Sequence, residues 1–74
     1  MTFAEYLRKV QIDFAYSHAH SPQNRWRMGQ TYFNVLHEVS PDLANQIRGR
    51  SLDPFYNDGA VPAFLTWLAV RWPE

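Results

Sequence analysis

The segment IRGRSLDPFYND, residues 47–58, decides how the rest of the chain is arranged, because it places two arginines, two aspartates, a glycine, a proline and an aromatic pair in twelve positions. Asp53 followed by Pro54 is typical of a helix N-cap with proline at the first helical position, where its missing N–H costs nothing. We therefore predict a single helical turn that carries Phe55 and Tyr56. The segment is either a structural joint between helices or a functional site.

The joint interpretation is favoured, because the polar residues of this segment already have structural roles. Gly49 is placed to follow the end of a helix, Asp53 caps one, and Asp58 lies in the turn sequence NDG. Metal or catalytic chemistry would need several ligands converging on an open position. The predicted joint consists of Gly49, Asp53, Pro54, Phe55 and Tyr56, with Leu52 and Phe55 closing the bundle end and with ion pairs among Arg48, Arg50, Asp53 and Asp58.

The N-terminal segment predicts a first helix that ends near Ser17. Thr2 and Glu5 have the spacing of a capping box, in which each side chain accepts a hydrogen bond from the other residue's backbone N–H. Apolar residues recur at helical spacing and predict a core-facing stripe of Phe3, Leu7, Val10 and Phe14.

A second helix is predicted from Ser21 and Pro22 to about Val39. Its broad apolar arc contains Trp26, Met28, Tyr32, Phe33, Leu36 and Val39, which places it at the centre of the bundle. Gly29 projects into that arc and costs about 1 kcal/mol relative to alanine, so we expect close approach of another helix or an aromatic ring. The opposite face is polar, and its amides Gln30 and Asn34 are expected to tie the joint to this helix; the polar residues are Arg27, Gln30, Thr31, Asn34 and Glu38.

Two further helices complete the predicted fold. The segment SPDLANQIRG, residues 40–49, predicts a short helix that buries Leu43, Ala44 and Ile47. The last helix starts near Pro62, ends near Trp72 and shares one apolar face among Val61, Phe64, Leu65, Leu68 and Trp72. The expected fold is all-α, a single helical domain over residues 1–74 that forms a compact bundle of three longer helices, a short helix and a one-turn DPFY joint.

Composition narrows the class of protein. The 74 residues are near the lower size at which a single core holds a fold, and the absence of cysteine excludes disulfides, thiol nucleophiles and Cys-ligated zinc. Seven Lys+Arg balance seven Asp+Glu, which is unfavourable for a nucleic-acid binder. No apolar run approaches the roughly 20 residues of a membrane span, and the N-terminus lacks a signal-peptide pattern. We expect the whole chain to be the mature protein, in the cytoplasm, without a membrane partner.

Catalytic and metal motifs are not found. His18 and His20 suggest a metal site with His37. On a helix the first two point about 200° apart and cannot share an ion, although in an extended loop they could, and a solvated helix end is the preferred interpretation. The segment HEVSP starts like a zincin motif, but Pro41 stands where the second histidine is required. Neither a phosphate-binding glycine loop nor a nucleophile elbow is present. We therefore expect no enzyme, no metal and no cofactor.

Two pairs of apolar residues lie off the predicted core faces and predict a partner-binding surface. Ile12 and Tyr16 share the outer face of the first helix, and Trp67 and Val70 lie off the apolar face of the last one. Exposed apolar and aromatic groups commonly anchor interfaces. The partner is expected to be another protein or a second copy of the chain.

A nucleic-acid interface is the alternative. The segment RWR places arginines beside a stacking aromatic, as sites for single-stranded nucleic acid often do. The residues of this alternative are Arg25, Trp26, Arg27, Arg48 and Arg50, and it predicts an affinity that falls steeply with salt.

Over Arg27 to Leu68 the chain resembles a group of small, largely uncharacterised proteins of bacteria and their phages. The resemblance is carried by the order Gly-Gln, Phe-Asn-x-Leu, Pro-x-Leu-Ala, Ile-Arg-Gly and Asp-Pro-Phe-Tyr, and a threonine commonly follows the Arg-Gly pair where this chain has Arg50 and Ser51. It implies a compact bacterial or mobile-element accessory protein, with inhibition of a host or defence factor as a subclass, and it assigns no catalytic residue.

Overall fold

The computed structural model describes residues 1–20 and 26–73 and contains helices α1 (Phe3–His20), α2 (Met28–Val39), α3 (Pro41–Ile47) and α4 (Val61–Arg71). A 3₁₀ turn, Asp58–Ala60, precedes α4. No strand occurs in these two ranges, so the all-α prediction is confirmed. The radius of gyration is 11.7 Å, close to the roughly 11 Å expected for a compact domain of this length.

The capping box that starts α1 forms as predicted. The Thr2 N–H donates to Glu5 Oε1 at 2.8 Å, and the Glu5 N–H donates to Thr2 Oγ1 at 3.1 Å. The backbone hydrogen bond from Thr2, together with the one from its side chain, lowers the pKa of Glu5.

The predicted end of α1 at Ser17 is wrong, because the helix continues to His20. The added turn is supported by ring pairs one helical turn apart: Phe14 with His18 at 4.2 Å and Tyr16 with His20 at 4.3 Å between centroids. Histidines in a last turn also suit the C-terminal end of the helix dipole.

The core-facing stripe of α1 is partly correct. Val10 is fully buried as predicted, whereas Phe3, Leu7 and Phe14 are half-buried. The residue that the pattern missed is Tyr6, which is fully buried and donates its hydroxyl to the Tyr32 carbonyl at 2.7 Å. That hydrogen bond satisfies the polar end of the ring, so the rest of the side chain is packed as a core residue. The buried core also contains Tyr32, Phe33, Val35, Leu36, Leu43, Ala44, Ile47, Phe64 and Leu68.

Helix α2 begins at Met28, several residues later than predicted. Arg27 is the N-cap with an extended backbone, φ −70° and ψ 162°, and its N–H donates to Gln30 Oε1 at 3.4 Å. The predicted cap at residues 21 and 22 lies outside the described residues. Thr31 was placed on the polar face but is buried, and its hydroxyl donates to the Arg27 carbonyl at 2.9 Å. This internal bond removes the cost of burying the hydroxyl.

The close approach predicted at Gly29 is present, but the approaching group is neither a helix nor an aromatic ring. A Cβ at Gly29 would overlap the carbonyl oxygen of Pro54 and lie 2.8 Å from Oδ1 of Asp58. The Gly29 N–H donates to the same Asp58 oxygen at 3.0 Å. The joint therefore packs its backbone directly against the first turn of α2.

Helices α3 and α4 follow the sequence closely. In α3 the three predicted residues Leu43, Ala44 and Ile47 are buried, and Gly49, at φ 74°, adopts the left-handed conformation just after the helix. In α4 the residues Phe64 and Leu68 are buried.

The helix α4 ends at Arg71, one residue before the predicted end. The indole N–H of Trp72, which follows, donates to the Met1 carbonyl at 3.0 Å. The two ends of the described chain therefore lie side by side, with the Trp72 ring 5.1 Å from that of Tyr6.

The substitution Gly29→Ala should lower the free energy of unfolding by about 2 kcal/mol or more. Alanine inside a helix ordinarily stabilises by about 1 kcal/mol, but here the methyl group meets a backbone carbonyl that moves only if the joint moves. Urea unfolding followed by circular dichroism measures the change. Gln11→Ala at an exposed position of α1 is the control and should change stability little. Unchanged or greater stability of Gly29→Ala would contradict this packing.

Tyr6 should make stability depend on alkaline pH. Burial, and secondarily the neighbouring Tyr32, raise the pKa of Tyr6 above its ordinary value near 10. The contribution of the neutral phenol is present below about pH 10 and is lost as the pH rises above it, since the unfolded chain releases the proton first. Tyr6→Phe should cost about 1 kcal/mol at pH 8, and this difference should shrink by pH 11.

Urea midpoints at pH 8 to 11 measure the difference. The control is Tyr56→Phe, at an exposed tyrosine, which should follow the wild-type profile. Parallel profiles for the wild type and Tyr6→Phe would show that burial of this phenol does not govern the alkaline dependence.

Candidate functional site

The joint is ordered by Asp53, which uses both carboxylate oxygens. Oδ1 accepts from the Phe55 N–H at 2.9 Å, as the predicted cap requires, and Oδ2 accepts from the Gly49 N–H at 2.8 Å. The predicted helical turn is wrong: residues 54–57 form a turn closed by the Asn57 N–H to the Pro54 carbonyl at 3.1 Å, without helix. The reason is Asn57, whose side chain accepts from Gly59 N–H and starts the separate 3₁₀ turn.

Two polar contacts, besides the packing at Gly29, attach the joint to α2. The Arg27 guanidinium donates to the Phe55 carbonyl, and Asp58 accepts from Gly29 as described above. The predicted tie through Gln30 and Asn34 is wrong, since within the described ranges neither amide bonds to the joint. The first turn of α2 is therefore the docking point of the joint.

The predicted ion pairs across the joint do not form. In the part of the chain that the structure describes, the ion pairs are Lys9 with Asp13 at 3.1 Å and Lys9 with Glu38 at 3.6 Å. The hydrogen bond to Asp13 raises the pKa of Lys9. Arg48 instead lies over the Phe33 ring, 5.5 Å from its centroid. The Asp53 carboxylate instead accepts hydrogen bonds from two backbone N–H groups.

An open cleft of about 180 Å³ lies beside the joint, and we call it the apolar cleft. It is lined by Phe33, Arg48, Asp53, Phe55 and Tyr56. The Phe55 ring meets Phe33 edge to face at 5.7 Å and Tyr56 at 4.6 Å. Tyr56 is 84% exposed although its ring lies against that of Phe55. The cleft thus combines a fixed aromatic floor with a solvent-facing tyrosine at its edge.

A second cleft of about 230 Å³, the arginine cleft, is lined by Gln46, Arg50, Trp67 and Arg71. The Arg71 guanidinium lies 4.6 Å from the Trp67 ring centroid and donates to the Trp67 carbonyl at 3.1 Å. Arg48 lines the first cleft and Arg50 the second, and both belong to residues 48–53, which we call the arginine turn. The two clefts therefore adjoin the same short segment.

The residues predicted to bind a partner are exposed, with one exception. Ile12 and Tyr16 on α1 are 59% and 63% exposed, and Val70 on α4 is 79% exposed. Trp67 is half-buried and packs against the hydrophobic core. Its remaining surface lines the arginine cleft, so Trp67 both packs against the core and forms part of the protein surface.

The residues of the nucleic-acid alternative do not line one common cleft. Arg25 lies outside the described residues, and Trp26 is half-buried with its carbonyl oxygen 3.2 Å from Nε2 of His18. Arg27 is bonded to the joint, whereas Arg48 and Arg50 line different clefts.

The described residues form neither a metal site nor a membrane-spanning helix. No group of three histidine, aspartate or glutamate side chains among them is placed to hold a metal ion. Among the helices of residues 1–20 and 26–73, none has the length and apolar character that crossing a bilayer requires.

Comparison with known proteins returned no matching family model, curated protein or solved structure. The resemblance to small bacterial and phage proteins therefore stays a prediction.

Sequence reasoning treated Tyr56 as part of the joint and missed its exposure. In the structure Tyr56 is the third residue of the turn over residues 54–57, and side chains at turn corners commonly face water. Phe33 was assigned to the core, and it is buried, but its edge also forms the floor of the apolar cleft.

Asp53→Ala should lower the free energy of unfolding by about 1–2 kcal/mol, because it leaves the N–H groups of Gly49 and Phe55 without their acceptor. Asp53→Asn retains one oxygen and should lose less. Thermal unfolding gives the stability, and amide NMR spectra should show the Gly49 and Phe55 signals moving most in Asp53→Ala. Equal stability of the three proteins would mean that Asp53 does not hold the joint.

Proposed function

We propose that this chain is a non-enzymatic protein-binding module that acts by covering a surface of another protein through its apolar cleft. The observation that carries the proposal is Tyr56, whose side chain is 84% exposed yet stacked edge to face on Phe55 in a joint that Asp53 orders. Tyrosine and arginine are enriched among the residues that dominate binding energy, and Tyr56 and Arg48 both line this cleft.

The size of the cleft supports binding of a protein side chain over binding of a small molecule. Small-molecule sites usually measure about 300–1,000 Å³ and enclose most of the ligand, whereas this cleft measures about 180 Å³ and is open. A single large side chain of a partner matches that volume. The fixed floor formed by Phe33 and Phe55 favours binding, because fewer groups lose freedom when the partner arrives.

The wider biological role rests on the sequence resemblance. On that basis we propose an accessory protein of a phage or mobile element that works in the cytoplasm and modulates or inhibits a host or defence factor. Ile12 and Tyr16, exposed on α1, are a second contact patch for the same partner or for a second copy of the chain.

The test is affinity capture by the tagged full-length protein from nuclease-treated bacterial lysate, read by mass spectrometry, with Tyr56→Ala beside the wild type. We expect a protein that is captured by the wild type and reduced at least about tenfold by Tyr56→Ala, as for a binding hot spot. Because Tyr56 is exposed, the thermal midpoint should change little.

Tyr16→Ala, at an exposed tyrosine of α1, tests the second contact patch, and Gln11→Ala, at an exposed position of α1 that belongs to neither patch, is the neutral control. Loss of capture with Tyr16→Ala and not with Tyr56→Ala would move the contact surface to α1. Absence of any captured protein would contradict protein binding. Capture from untreated lysate that disappears on nuclease treatment would support the arginine-based nucleic-acid alternative.

A further inference from the structure

We propose that the segment bound by this surface is acidic and carries one large apolar side chain, which sits in the apolar cleft while neighbouring carboxylates bind the arginine turn and Arg71. This inference rests on the proposed protein-binding function and specifies the chemistry of its partner. It follows from the charge, the orientation and the spacing of the residues that line the two clefts.

The charge around the clefts is positive although the whole chain is neutral. Arg48, Arg50 and Arg71 line the clefts, and within the described residues none of them is paired with a carboxylate. Asp53 is the acidic residue of the apolar cleft, but its two oxygens accept hydrogen bonds from backbone N–H groups. Arg48 therefore faces solvent at the apolar floor, and Arg50 and Arg71 face solvent in the arginine cleft, so a complementary partner is negative beside the arginine cleft.

Two of these guanidinium groups are held in place before any partner arrives. Arg48 lies over Phe33 and Arg71 over Trp67, and Arg71 uses one nitrogen, Nη1, on the Trp67 carbonyl. A guanidinium has five N–H donors in a planar fork that matches a carboxylate. A guanidinium that lies against an aromatic ring keeps donors along its edge, so both groups can still bind a carboxylate.

The apolar cleft determines which apolar side chain of the partner can bind. The arginine turn, which adjoins both clefts, determines where the neighbouring residues of the partner lie. The apolar cleft has room for one large side chain and is floored by Phe33 and Phe55. Because Arg48 and Arg50 are two positions apart, their Cα atoms are at most about 7 Å from one another, the span of about two residues of an extended peptide. The expected sequence is thus an aromatic or large aliphatic residue flanked by glutamate or aspartate.

A nucleic acid fits the same clefts less well. Binding of a phosphate backbone gains affinity from each neutralised phosphate, and these clefts supply three arginines on a chain of zero formal charge.

The experiment titrates the full-length protein, labelled with nitrogen-15, with a synthetic peptide of one phenylalanine flanked on each side by two glutamates. We expect saturable shifts of the amide signals of the arginine turn and Tyr56. The same peptide with glutamines should bind at least about tenfold more weakly, and Arg50→Glu or Arg71→Glu should weaken binding of the glutamate peptide to a similar extent. The charge-matched control is Arg8→Glu, on the exposed surface of α1, which should bind almost as the wild type does.

Four results would overturn the inference: no saturable shift with the glutamate peptide, equal binding of the glutamine peptide, equal weakening by Arg8→Glu, or tighter binding of an oligothymidine of the same charge. None of the first three affects the capture experiment with Tyr56→Ala. If capture depends on Tyr56 but not on Arg50 or Arg71, protein binding stands and the acidic partner is wrong.

Discussion

The close contact between Gly29 and the joint is the constraint on which the rest of the structure depends. The Pro54 carbonyl lies where a side chain at Gly29 would be, and Asp58 accepts from the Gly29 N–H. Helix α2 is central, since it contacts α1, α3 and the 3₁₀ turn that precedes α4. Fixing the joint on the first turn of α2 therefore sets where α3 ends and where α4 begins.

The same contact brings a negative charge to the N-terminus of α2, where the positive charge of Arg27 is unfavourable. An arginine at a helix N-terminus opposes the helix dipole, and Arg27 is the N-cap. Asp58 brings a carboxylate to the N-terminal turn from 29 positions away, while the Arg27 side chain extends to the Phe55 carbonyl. A cap supplied by a distant residue has no local sequence signature, which is why the sequence predicts a cap at residues 21 and 22 instead.

The features that the sequence predicts well are those decided by neighbours along the chain. The capping box of α1, the buried residues of α3 and the left-handed Gly49 need only local spacing and backbone preference. Tyr6 and Thr31 were missed because their burial depends on acceptors: the Tyr32 carbonyl for Tyr6, and the Arg27 carbonyl for Thr31. A hydroxyl looks polar in a sequence pattern, but it can be buried where an acceptor is supplied, by a distant helix for Tyr6 and by the preceding turn for Thr31.

The candidate site shows the same division between local and distant causes. Asp53 and Pro54 predicted an ordered joint, and the joint is ordered, but the cleft beside it needs Phe33 from α2 as its floor. The order of the joint favours binding, since immobilising a free side chain on association costs about 0.5–1.5 kcal/mol. Tyr56 stands on a turn that is hydrogen-bonded to itself and docked on α2, and its ring is already against Phe55. The interactions that stabilise the joint therefore also reduce the cost of using Tyr56 as a contact, so structural joint and functional site are two descriptions of one segment.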